Sequence, residues 1–97
     1  MLIGPKDPTE IKDVTFDFTN QIGLNEVSSA TVVSETLQGI DANPNLLLLG
    51  GLTHVGAMVT QRLTGGIVGA TYLLHCMVVD TVGLRHKVTA QLGISKV

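Results

Sequence analysis

The side chains able to do chemistry are few: His54, His75 and His86, the single cysteine Cys76, and Ser28, Ser29 and Ser34. No two histidines stand at His-x-His or His-x-x-x-His spacing. His75 and His86 sit on strands that pair, yet by alternation His75 points outward and His86 inward. A zinc site needs at least a third ligand besides. The expectation is no metal, and histidines that are satisfied within the fold or interfacial. One cysteine excludes an internal disulfide and a cysteine-based zinc site, so Cys76 reads as a small core residue. The serines have no glycine-flanked elbow and no histidine and aspartate beside them in sequence, which a nucleophilic triad requires. Asp13 and Asp17 flank an apolar strand and read as its wet face. Paired carboxylates for glycoside chemistry also want a cleft, and a domain this small has little room for one.

The segment Gly65-Gly66-Ile67-Val68-Gly69 invites a phosphate-loop reading. Such a loop requires Lys-Ser/Thr after it and a helix to present backbone N–H groups. Here Ala70, Thr71 and Tyr72 follow, on a strand, so the glycines read as a turn. The chain is therefore expected to be no enzyme, and to have no cofactor and no small-molecule substrate.

The elements behind these residues are strands. Residues 85 to 94 alternate cleanly: His86, Val88, Ala90, Leu92 and Ile94 on one face, and Arg85, Lys87, Thr89 and Gln91 on the other. Period two marks a strand with one buried and one wet face. The preceding strand breaks that rule. Tyr72, Leu74, Cys76 and Val78 share its inner face, but Leu73, Met77 and Val79 on the outer face are apolar too. A two-layer domain has one inside, so the second apolar face calls for a partner.

Upstream, Asp13 to Thr19 alternates as a first core strand carrying Phe16 and Phe18. Asn20 to Glu26 reads as a turn and Val27 to Ser34 as a second strand. Leu37 to Asn45 reads as a loop, with at most one helical turn over Leu37 to Asp41. Leu46 to Leu49 reads as a short apolar strand, and Val55 to Leu63 as another strand. Residues 1–12, with Pro5 and Pro8, read as an extended arm that Leu2, Ile3 and Ile11 allow to dock. Six or seven short strands in 97 residues predict a single all-β domain, an immunoglobulin-like antiparallel sandwich. Tyr72, entering the penultimate strand after Gly69, stands where such folds place a tyrosine corner.

Composition points toward assembly. Charged residues make up 14% of the chain, against roughly 25% for an average domain. On a small protein, whose surface fraction is high, that suggests that neighbours cover part of the surface. The net charge of −2 and three aromatic residues supply neither a phosphate-binding stripe nor a stacking platform, so no nucleic acid is expected. The start of the chain lacks the apolar run of a signal peptide, and the longest apolar run falls far below the ~20 residues of a membrane helix.

Four segments in order carry a resemblance: Lys6-Asp7-Pro8, Asp13 to Thr19, the stretch Gly65-Gly66-Ile67-Val68-Gly69-Ala70-Thr71-Tyr72, and Thr81-Val82-Gly83-Leu84-Arg85. Over nearly its whole length the chain resembles the small fibre–tail adaptors of tailed bacteriophages, which have an immunoglobulin-like sandwich fold. The resemblance implies a structural virion protein, assembled in the host cytoplasm. Its partners would be copies of itself in a ring, tail tube or nozzle proteins, and fibre or spike proteins, docked by strand addition and apolar contact. Two other readings stay open: a capsid cement protein on the phage head, and a non-viral binding module. A sugar-binding module would need exposed aromatics, whereas Phe16, Phe18 and Tyr72 all read as inward. The residues expected at an interface are Leu73, Met77, Val79, Leu2 and Ile3. Those expected to anchor the fold are Phe16, Phe18, Gly69 and Tyr72.

Overall fold

The computed structural model describes residues 2–23 and 25–95, with side chains from residue 5 onward. Two sheets pack face to face, the all-β sandwich that the alternation predicts. The strands in chain order are β1 (Leu2–Lys6), β2 (Lys12–Asp17), β3 (Val27–Gln38), β4 (Thr53–Val55), β5 (Met58–Leu63), β6 (Thr71–Asp80) and β7 (Arg85–Ile94). One turn of helix, α1 (Thr19–Ile22), and one 3-10 turn (Pro44–Leu47) interrupt them. One sheet is ordered β1-β7-β6-β3 and the other β2-β5-β4. Lettered A to G, the strands fall into the B-E-D and C-F-G groupings of immunoglobulin-type sandwiches, with the first strand on the G edge.

The inner faces supply the core by simple alternation. Val14 and Phe16 come from β2, Val59 and Leu63 from β5, and Tyr72, Leu74, Cys76 and Val78 from β6. Ala90, Leu92 and Ile94 come from β7. Phe16, Phe18 and Tyr72 are wholly inaccessible, and each fully buried apolar side chain of this size contributes about 1.5–3 kcal/mol.

Local chemistry explains where the elements depart from the pattern. The Asp17 carboxylate accepts the N–H and the hydroxyl of Thr19, which bends the chain out of β2 and into α1. So the segment expected to be a turn opens as a helical turn, closed by Gly23 at φ +62. Strand β3 runs on to Gln38, past its expected end at Ser34, because β6 pairs with it as far as Thr71. No helical turn forms over Leu37 to Asp41. Leu46 to Leu49 is not a strand. Pro44 sets a helical φ at the start of a 3-10 turn, Leu47 turns into the core, and only Leu48 bridges to Leu63. The expected strand from Val55 to Leu63 is instead a hairpin. Val55 pairs with Met58 across Gly56 and Ala57, and Gly56 supplies the positive φ that so short a turn demands.

The N-terminal segment, expected as an extended arm able to dock, lies extended along the sheet edge as β1. β1 runs parallel to β7, with Leu2 beside Gln91, Ile3 beside Leu92 and Lys6 beside Ile94. Lys6 is 1% exposed. Its ammonium donates to the carbonyls of Gly65, at 2.7 Å, and Asp7, at 3.0 Å. Burial lowers its pKa from the ordinary lysine value. Asp7 then accepts the N–H and hydroxyl of Thr9, and Glu10 accepts the N–H of Asp7, which closes the turn into β2.

Candidate docking surface

Strand β6 is central in its sheet, and its outward residues define the surface. Across strands, paired residues share a face. The outer face therefore reads as four rows: Ser29, Val79 and Arg85; Thr31, Met77 and Lys87; Val33, His75 and Thr89; Glu35, Leu73 and Gln91. The middle column is Val79, Met77, His75 and Leu73. Three of its four residues are apolar, and no element of the described residues packs over them. Met77 is 47% exposed and Val33 39%, while Leu73 and Val79 are half-buried by their neighbours. The candidates Leu73, Met77 and Val79 thus lie together on one open face. Leu2 and Ile3 sit on the edge of the same sheet by their backbone register; their side chains lie outside the described residues.

At Met77 and Val79 the face deepens into a groove of about 280 Å³. Ser29 and Thr31 line one wall, and Arg85 and Lys87 the other.

Among the reactive side chains, His75, His86 and Cys76 are held within the architecture. His75 lies within 3.1 Å of the Thr89 hydroxyl and 3.5 Å of the Glu35 carboxylate. His86 lies 3.0 Å from the buried Asp80 carboxylate. Asp80 also accepts the N–H groups of Val82 and Leu84 and so shapes the β6–β7 turn. Burial alone would raise its pKa, but the His86 ring and the two N–H groups outweigh burial and hold it below the ordinary carboxylate range. Cys76 is fully buried, and its thiol pKa is pushed up to about 11 by burial. Among the described residues no three metal-ligating side chains cluster.

Tyr72 lies under the glycine-rich turn. Its hydroxyl donates to an Asp41 carboxylate oxygen at 2.7 Å and accepts the N–H of Ile67 at 3.1 Å. Burial first, and then the Asp41 carboxylate, raises the phenol pKa above its usual value. Gly69 holds φ +87 at the entry to β6.

Sequence reasoning missed Lys6 as a buried tie, Asp41 as the partner of Tyr72, and the groove walls. A lysine in a short polar segment carries no signal of burial. The groove was legible in part, since Arg85 and Lys87 fall on the outward register beside Met77 and Val79.

Fold and face together define a small β-sandwich with Cys76, His75, His86 and Asp80 committed to its own structure and an apolar stripe left open on one sheet. A family model described as podophage GP4 fiber-tail adaptor protein gp77 matches residues 6–92, nearly the whole chain. The chain belongs to this family of structural phage tail adaptors, components of the virion that associate with tail and fibre proteins. No curated protein matches it.

Proposed function

We propose that copies of this chain form a ring on the tail and that the ring holds fibres or spikes by non-covalent contact, without catalysis. Assembly takes place in the host cytoplasm, and the chain persists as a virion part. One observation carries the reading. The central strand β6 is apolar on both faces, and its outer residues Leu73, Met77 and Val79 have no cover within the described chain. An uncovered apolar column beside open strand edges suits a protein whose work is to be covered by others.

The test is Leu73→Asp. Leu73 sits on the outer face between Glu35 and Gln91, so the variant should stay folded, with a stability change within about 1 kcal/mol. It should fail to enter tails during assembly and fail to form oligomers by light scattering. Normal incorporation of the variant would remove this face from the docking reading. Unfolding of the isolated domain would show that Leu73 belongs to the core instead.

A further inference from the structure

Building on the docking reading, we propose that the groove at the Met77–Val79 end of the face takes an acidic, extended segment of a partner protein. Two observations converge on it.

The first is charge. Of the described cations, Lys12 pairs with Glu10, Arg62 pairs with Asp13, and Lys6 is buried on carbonyls. Arg85 and Lys87 alone have no ion pair and no side-chain hydrogen bond among the described residues. Both are exposed, and both line the same wall of the groove. Asp80, the nearest acid in this hairpin, is 2% exposed and already engaged by His86, so it does not neutralise them.

The second is the floor. Met77 and Val79 offer apolar contact between the cationic wall and the hydroxyls of Ser29 and Thr31. A segment lying in the groove can set apolar side chains on this floor and carboxylates against the Arg85 and Lys87 wall. A basic or neutral segment would leave the two cations unmatched in a contact that removes them from water.

The test uses phage particles carrying the full chain with a photoreactive residue at Thr31, in the groove, or at Leu73, in the next stretch of the same face. The captured peptide is sequenced. The proposal expects Thr31 to capture a segment with more Asp and Glu than Lys and Arg. It also expects Arg85→Gln with Lys87→Gln to cut incorporation roughly tenfold or more while the purified variant keeps its folded circular dichroism. If Leu73 captures a partner but Thr31 captures nothing, a second copy of this chain, or a neutral or basic segment, the groove proposal is overturned and the adaptor face stands. Unchanged incorporation of the double variant overturns it equally. If neither position captures a protein, the docking reading fails along with it.

Discussion

The contact under Tyr72 allows a quantitative test of what locks the sandwich. Tyr72→Phe removes one oxygen from a side chain that is wholly inaccessible and leaves the ring in place. Two interactions go with it: the 2.7 Å hydrogen bond to the Asp41 carboxylate and the 3.1 Å bond from the Ile67 N–H. A hydrogen bond to a charged group contributes about 1.5–3 kcal/mol net, and a neutral one about 0.5–1.5 kcal/mol. Ile67 is 45% exposed, so water can replace the second partner and its loss falls at the low end. The expected cost is about 2–3 kcal/mol, or roughly 10–15 °C in Tm for a domain of this length. Urea unfolding followed by far-UV circular dichroism is the assay, since the chain has no tryptophan. Asp41→Asn and the double variant complete a cycle, in which a coupling of about 1 kcal/mol or more is expected. A loss under ~0.5 kcal/mol for Tyr72→Phe, or strict additivity in the cycle, would refute the idea that this contact ties the β3–β4 loop to the glycine-rich turn.

Gly69→Val should destabilise by more than the ~1 kcal/mol of a typical substitution, because Gly69 holds φ +87. The space around it is open, so Gly69→Asn, which tolerates that φ better, should recover part of the loss in the same urea assay. The lowered pKa of Asp80 means that its stabilising effect is present above the ordinary carboxylate range and is lost as pH falls through its folded value. Asp80→Asn should therefore lower stability at neutral pH and flatten the acid side of a stability profile below about pH 4. Cys76 should resist an aromatic disulfide reagent at neutral pH and react only at the rate of unfolding, since its thiol is buried and its pKa lies near 11. Fast reaction in the native protein would contradict the buried placement of β6.

Period-two patterning carried the strands because burial on one face is a property of the strand itself. It assigned Tyr72, Leu74, Cys76 and Val78 inward and Leu73, Met77 and Val79 outward, and β6 lies that way. It failed where a single polar or proline residue overrode hydrophobicity. Four successive leucines look like a strand, but Pro44 just before them sets a helical turn. Gly56 splits one apparent strand into a hairpin. β1 was hidden for a different reason: it pairs with the far end of the chain, and a parallel long-range partner leaves no local trace. The groove was legible only in its β7 wall, because the other wall comes from β3, far away along the chain.

The four segments that carry the resemblance and the proposed docking face answer different needs. Each of the motifs marks a lock in the fold. Lys6 of the Lys-Asp-Pro segment donates to the carbonyl of Gly65 in the glycine-rich segment. Ile67 of that same segment donates to the hydroxyl of Tyr72, five residues on. The Thr-Val-Gly-Leu-Arg turn offers the N–H groups of Val82 and Leu84 to Asp80. The first two locks share one loop, so the N-terminal strand, the glycine-rich turn and the start of β6 are held as a unit. These segments thus serve the fold of this chain. Leu73, Met77, Val79 and Lys87 lie outside the motifs, and only Arg85, the last residue of one turn, belongs to both sets. A structure-locking set and a contact set that overlap at one residue can vary separately. On the proposed docking reading, the same sandwich is refitted to a different fibre by changing the outer rows of β6 and β7 alone, while Lys6, Tyr72 and Asp80 stay in place.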